Sequence, residues 1–323
     1  MKRVLVIIIA GCLSIYYNVW SQSDIVQFNQ YFNAMGYYNP AYAGKTGDLN
    51  VRALYRLQWL GAFNNRAPKT MFVAADMPWK FGKSQSGIGI VVLSETVGME
   101  TSLYASAQYA YKKKIGKGIL SVGLQAGLIN YAFDGTQVYI PDSEDHQQED
   151  EAISEVEKDA MGLDVAAGLF YSTDKYYIGI GGLHLLKPTL NLDENMDRTI
   201  ERGYNFTAGY NIQMKNPLIE LQPSVFVQTN LQMVSADVSM RGVYNKMYNG
   251  GIGARFSDKG MINNAILFFG ATLKDFQAGY AYEFPISAIS KVSVGSHELM
   301  IIYRLKLDKP KGNKNRHKSI RFL

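Results

Sequence analysis

The residues best suited to catalysis or metal binding are few and widely separated. The four histidines, His146, His184, His297 and His317, stand far apart and show no metal-binding spacing. Cys12 is the only cysteine, and no G-x-S-x-G motif marks a nucleophilic serine. We therefore expect no catalytic, metal or cofactor site. The chain is expected to act by binding and transport and not as an enzyme.

Charged residues concentrate in two segments. The stretch from Asp142 to Asp159 is strongly acidic, while the tail from Lys309 to Arg321 is basic. Carboxylates suit Ca²⁺, but the acidic stretch lacks the D-x-D-x-D-G order of a dedicated calcium loop. In the tail, only Phe322 offers a ring for stacking on a base, so nucleic-acid binding is not expected. We interpret the two segments as a solvated loop and a solvated terminus.

Two glycine-rich runs, Gly179–Gly182 and Gly250–Gly253, could suggest phosphate-binding loops. A phosphate loop would open a helix, whereas each of these runs lies inside a segment of alternating polarity. They are better explained as strand glycines, which permit barrel curvature and close side-chain approach.

The first 21 residues are typical of an export signal. Lys2 and Arg3 precede an apolar run from Val4 to Ile9, and cleavage is expected near Ser21. Residues 1–21 are therefore predicted to be a signal peptide. A lipoprotein site at Cys12, which follows Ile-Ala-Gly, remains the alternative.

Further along, the chain alternates with period two, which is typical of strands. The composition fits strands as well, with 22 Tyr, 30 Gly and a mean hydropathy of −0.11. In the first alternating run, one face is apolar or aromatic and consists of Leu49, Val51, Ala53, Tyr55, Leu57 and Trp59. The other face carries the candidate lumen-facing residues Asn50, Arg52, Arg56 and Gln58. Two arginines and two amides on one face suit a wet barrel lumen better than a packed core.

These runs predict the fold. No later segment offers the roughly 18 apolar residues of a spanning helix, so a chain entering a membrane must do so as a closed barrel. We predict an all-β, transmembrane, antiparallel up-and-down β-barrel of about 14 strands, with 12 or 16 as alternatives. The barrel is expected over residues 48–307. Residues 22–47 are expected to form a periplasmic N-terminal segment and residues 308–323 a basic periplasmic tail.

The segment after the predicted signal resembles a known family. It contains Gln27–Phe32, then Asn39, Pro40, Ala41, Tyr42 and Gly44, then Arg56–Trp59. This order is similar to that of the PorP/SprF family, outer-membrane proteins associated with the type IX secretion system of Bacteroidetes. Gly295–Glu298 is similar to the family's entry into its last strand.

The resemblance implies an outer-membrane barrel that helps to secrete or retain surface proteins, including gliding adhesins in some members. The expected partners are a secreted or surface-anchored protein, type IX secretion components and outer-membrane lipid. A passive porin or hydrophobic-solute channel is the alternative function, and an outer-membrane hydrolase is a third. From physical chemistry alone, the stretch Asn39–Gly44 is interpreted as a rigid turn before the first strand, because Pro40 fixes the backbone and extends Asn39.

Overall fold

The computed structural model describes residues 25–63, 66–81, 84–135, 157–193, 196–257 and 260–307. The predicted signal peptide, the lipoprotein alternative at Cys12, most of the acidic stretch with His146, and the basic tail with His317 lie outside these residues. Among the described residues, no helix is both long and apolar enough to cross a membrane.

Strands account for most of the described chain, and only short helical segments accompany them. The helical segments are α1 (Met35–Tyr38) and two 3₁₀ turns, Pro40–Tyr42 and Ala288–Lys291. In chain order the strands are β1 (Leu49–Leu60), β2 (Lys69–Phe81), β3 (Ser84–Val97), β4 (Glu100–Ile115), β5 (Gly118–Asp134), β6 (Glu157–Ser172), β7 (Tyr176–Leu183), β8 (Thr189–Asp193), β9 (Met196–Thr199), β10 (Gly203–Tyr210), β11 (Ile212–Gln213), β12 (Ile219–Thr229), β13 (Val234–Tyr244), β14 (Tyr248–Phe256), β15 (Ile262–Leu273), β16 (Phe276–Pro285) and β17 (Gly295–Leu305).

The strands pair in sequence order and close into one antiparallel barrel. β1 pairs with both β2 and β17, and β10 pairs with β12 as well as with β7. Because β10 and β11 are two parts of one interrupted strand, the described residues form a 14-stranded barrel. The predicted fold class is therefore confirmed, and the strand count falls at the centre of the predicted range.

Alternation along each strand separates the inside from the outside of the barrel. In β1, Arg52, Leu54 and Arg56 are buried, whereas Val51 and Tyr55 are exposed. The outward faces are apolar, as a lipid-facing surface requires. Large side chains such as Leu163, Phe269 and Ile252 are 62–69% exposed there.

The two ends of the barrel differ. At the terminal end, where β1 begins opposite the end of β17, Leu49 pairs with Leu305. At the opposite end, here called the loop end, the connection between β7 and β10 folds into the β8–β9 hairpin. Leu190 and Leu192 of this hairpin and the following Ile200 are buried in the main apolar cluster. The hairpin therefore covers part of the lumen at the loop end.

Candidate functional site: a filled lumen

The lumen is occupied by the chain's own N-terminal segment. Residues 25–47, here called the N-terminal plug, lie in the barrel. Phe28, Tyr38 and Asn39 have no exposed surface, whereas residues 45–47 at the terminal end are exposed. The sequence instead predicts a periplasmic segment over residues 22–47 that leads into the barrel. The described part of that segment packs within the strands, because many of its side chains are apolar or aromatic and find partners only there.

The N-terminal plug runs the length of the lumen. At the loop end, Ile25 occupies the space beside Gly203, and its carbonyl accepts a hydrogen bond from Gln228 at 3.4 Å. At the terminal end, the amide of Gly44 donates to Asp76 at 2.8 Å. Asp76 pairs in register with Asn50 near the start of β1. The chain thus enters its first strand only after crossing the barrel interior.

Aromatic rings form the centre of the N-terminal plug. The Phe28 ring packs against the Tyr37 ring at 5.7 Å and against Phe72 of β2 at 5.4 Å. Tyr31 stacks on Phe226 of β12 at 5.2 Å, and its hydroxyl forms a 2.8 Å hydrogen bond with Ser239. The apolar surfaces of these rings therefore pack against other rings, and the Tyr31 hydroxyl forms a hydrogen bond with a polar side chain of the strand.

Asn39 joins the N-terminal plug to the barrel backbone. Its side-chain amide donates to the carbonyls of Leu169 on β6 and Ile180 on β7, at 2.9 and 3.1 Å. Its side-chain oxygen accepts from the amide of Ala41 and caps the 3₁₀ turn that begins at Pro40. Since Asn39 uses both ends of its amide, it connects the turn to two neighbouring strands. This turn had been expected outside the barrel, as a strand-entry turn.

Strand glycines make room for this contact. A Cβ atom at Gly168 would lie 2.1 Å from the Asn39 side-chain oxygen, and one at Gly123 would lie 2.1 Å from the backbone nitrogen of Ala41. Real Cβ contacts are never so short, so the wall accepts the turn only because these positions lack side chains. Close approach therefore explains these inward glycines.

A buried ion-pair cluster binds the N-terminal plug on the other side of the barrel. Arg56 contacts Glu283 at 3.0 Å and Glu298 at 3.4 Å. Arg255 contacts Glu283 at 3.0 Å and Asp237 at 2.7 Å. All five side chains are at least 94% buried. Removing either arginine would leave a buried carboxylate, Glu298 or Asp237, without a cation.

The cluster contains three carboxylates and two guanidinium groups, and the N-terminal plug supplies the missing donors. The backbone amides of Asn29 and Gln30 donate to the two oxygens of Glu298, at 2.7 and 2.8 Å. The Asn29 side-chain oxygen in turn accepts from Arg255 at 3.3 Å. The Glu298 carboxylate thus has both of its backbone donors only when the N-terminal plug is in place.

The structure places both sets of sequence-predicted residues in the barrel, and Arg52 and Tyr42 are in contact. Arg52 lies inside the barrel, where it forms a buried ion pair with Asp76 and stands over the Tyr42 ring. Asn50 is also inside, and its side-chain amide donates to the carbonyl of Asp48 at 3.0 Å. Gln58 lines a cavity of about 360 Å³ at the loop end. Tyr42 faces β1 and Gly44 lies beside β2, whereas Asn39, Pro40 and Ala41 lie against β5, β6 and β7.

Sequence reasoning missed the acidic half of the cluster. Glu298 lies in the family-like segment Gly295–Glu298 and Glu283 at an inward position of β16, but no sequence pattern pairs either with Arg56. Their signal was an acidic residue at an inward position of a strand, which needs a buried cation. Since the partners are 227 and 242 residues away from Arg56, spacing alone could not identify them.

The two histidines that the structure describes each form a hydrogen bond with one polar side chain. His184 is buried, and its Nδ1 lies 3.0 Å from the carboxylate of Asp164, while His297 contacts the Tyr280 hydroxyl. Across the part of the chain that the structure describes, no three His, Cys, Asp or Glu side chains are grouped to hold a metal ion. The described lumen residues are arranged to fill the barrel and to hold the N-terminal plug in place.

A comparison with protein families identifies a model that matches most of the chain. That model, described as the type IX secretion system membrane protein PorP/SprF, matches residues 21–303. No curated protein matches the chain.

Several solved outer-membrane barrels are similar in structure at low sequence identity. The toluene transporter TbuX of Ralstonia pickettii is 11% identical, with 83% of this chain and 92% of that one covered and a TM-score of 0.48. The toluene transporter TodX of Pseudomonas putida is 10% identical, with 88% and 95% covered and a TM-score of 0.45. An outer membrane protein of Acinetobacter baumannii is 6% identical, with 80% and 98% covered and a TM-score of 0.47.

Proposed function

Because the chain belongs to the PorP/SprF family of type IX secretion system membrane proteins, we propose that it works in the outer membrane as a closed, non-enzymatic barrel. In this proposal it supports the secretion or surface attachment of a partner protein, such as a gliding adhesin, together with other type IX components. The terminal end faces the periplasm and the loop end faces outward, as in bacterial barrels whose termini are periplasmic.

The filled lumen is the observation that carries this proposal. An open channel needs a continuous water path, yet the N-terminal plug runs the length of the barrel and contributes much of its buried apolar cluster. Its Glu298 contacts and the Asn39 contacts attach it to opposite parts of the wall. A barrel closed in this way is better suited to holding a partner than to passing solutes.

Partner contact then belongs to an end of the barrel. At the loop end, Leu231, Met261 and Val294 are 64–76% exposed, although they lie in short connections and not on strand faces. Contiguous apolar patches outside the lipid mark protein-binding surfaces, and we propose that these residues belong to such a patch. We assign the surface partner to this end.

Deleting the gene tests the proposed function. We expect the loss of one or a few particular surface proteins, as measured by mass spectrometry after protease treatment of intact cells, and their return on complementation. Uptake of small hydrophilic and hydrophobic solutes should be unchanged. A complete set of surface proteins together with slowed solute uptake would contradict the proposal and favour the alternative, a passive porin or hydrophobic-solute channel.

A further inference from the structure

The barrel wall has a gap between β10 and β12 near the terminal end. Their pairing ends at Gly209 opposite Ser224 and resumes only at Ile212 opposite Leu221. Within the gap, the backbone amide of Asn211 donates a hydrogen bond to the carbonyl of Lys175, at 2.6 Å, and not to β12. On the facing strand, Pro223 has no N–H to donate. The hydrogen-bonded seam is therefore interrupted on both sides.

An apolar groove lies on the outer wall at this gap. Its volume is about 850 Å³, and its lining includes Ile178, Tyr210, Val225, Val238, Met240 and Ile252. These side chains belong to five different strands, and most of them are exposed on the lipid-facing surface. In a membrane, the groove would be filled by hydrocarbon chains, because contact between its apolar surface and water is unfavourable.

A smaller cavity of about 190 Å³ lies directly inside the gap. Four residues line both the groove and this cavity: Tyr177, Tyr210, Pro223 and Ser224. The two spaces are thus separated only by the interrupted seam. A molecule with a polar head and an apolar tail could occupy both at once.

The inner cavity is lined by two cations, Lys45 and Arg241. The Lys45 ammonium lies 4.8–5.3 Å from the ring centroids of Tyr42, Phe170 and Tyr177. The guanidinium of Arg241 lies 4.2 Å from the Phe32 ring and donates to the Gln222 side-chain oxygen at 2.9 Å. Both cations therefore contact aromatic rings, and Arg241 also contacts a neutral amide.

Neither cation has a carboxylate within 4.0 Å among the described residues. By contrast, Arg52, Arg56 and Arg255 of the same lumen each have one. The nearest acid in the hydrogen-bond chain is Glu220, which accepts from the Gln222 amide at 2.6 Å and does not line the cavity. Two cations that face a cavity without a paired acid are suited to an anionic ligand.

We propose that this gap is a binding site for an anionic amphiphile with a single acyl chain. Its carboxylate or phosphate head lies in the inner cavity beside Lys45 and Arg241, and its chain lies in the outer groove. The interrupted seam lets the molecule pass through the wall without breaking a hydrogen-bonded pair. The proposal requires the barrel to lie in a membrane and does not depend on a secreted partner.

Binding of palmitate, compared with hexadecanol of equal chain length, tests the head site. Native mass spectrometry of the detergent-purified barrel is expected to show tighter binding of palmitate. Lys45→Met with Arg241→Met should weaken palmitate by at least about tenfold, as loss of charge-assisted hydrogen bonds predicts, and leave hexadecanol unchanged. Lys45→Gln alone should also weaken the binding of palmitate. Because Lys45 is exposed, this variant replaces the double variant if the latter does not fold.

Filling the groove tests the chain site. Ala208→Trp should weaken both ligands, whereas Ala53→Trp, which also lies on the outer wall but on β1, should weaken neither. Inorganic phosphate alone is expected to bind much more weakly than palmitate. Equal affinity for palmitate and hexadecanol, palmitate affinity unchanged in both cation variants, or phosphate binding as tight as that of palmitate would each overturn the proposal.

Discussion

Replacing Glu283 with alanine is expected to lower the free energy of unfolding by about 2–4 kcal/mol, because three buried donors lose a charged acceptor. Glu283 is completely buried and accepts hydrogen bonds from Arg56, Arg255 and Asn264. Without its carboxylate, two buried guanidinium groups each lose a partner. The change can be measured as a shift of the urea midpoint, with heat-modifiable gel mobility reporting the folded barrel.

A matched carboxylate on the surface provides the control for Glu283. Asp275 contacts Lys306 at 3.9 Å, and their side chains are 44% and 81% exposed. Because an exposed ion pair contributes little, Asp275→Ala should change stability by less than about 1 kcal/mol. If the two variants have equal midpoints, the cluster does not stabilise the barrel as described.

Replacing Gly123 with leucine is expected to open the barrel. The new Cβ would meet the nitrogen of Ala41 at 2.1 Å and the carbonyl carbon of Pro40 at 2.3 Å. Since both are backbone atoms, no side-chain rotation relieves the clash, and the turn must leave the wall. The strand itself pairs on both sides and can remain folded. Purified Gly123→Leu protein should therefore show stable conducting steps in planar bilayers, while the unsubstituted chain shows little steady conductance.

An outward glycine gives the control for this effect. At Gly250 of β14, the nearest atom to an added Cβ is 3.6 Å away, so Gly250→Leu should fold and remain closed. If Gly123→Leu does not fold, Gly87→Leu tests a second contact between the N-terminal plug and the wall. Its Cβ would lie 2.0 Å from the carbonyl oxygen of Ala43. Folded variants at both positions that stay closed would contradict a lumen filled by residues 25–47.

The barrel was predictable from sequence because strand alternation is a local signal. In β1 the apolar residues Val51 and Tyr55 alternate with the charged residues Arg52 and Arg56. Each strand shows such an alternation within about ten residues. Fold class and approximate strand count follow from this pattern and are confirmed. The sequence also predicts that strand glycines permit a close approach of other groups. It does not identify which groups approach them.

The position of the N-terminal plug was not predictable in the same way. Asn39 meets Leu169 and Ile180, which lie 130 and 141 residues further along the chain, and no periodicity links such distant positions. Polar and aromatic residues before a strand are equally compatible with a solvated segment. Only the three-dimensional wall shows that Gly123 and Gly168 leave space for this turn.

A disulfide between the N-terminal plug and the wall tests the filled lumen most directly. The Cγ atom of Asn39 lies 2.8 Å from the Cβ position of Gly168, which places the two Cβ atoms roughly 4 Å apart, within disulfide range. In the folded barrel, Asn39→Cys with Gly168→Cys should form a disulfide that changes gel mobility reversibly with reductant. The pair Ala53→Cys with Gly168→Cys, on opposite faces of the wall, should not. Free thiols at positions 39 and 168 that react fully with a water-soluble maleimide in the folded barrel would contradict the account.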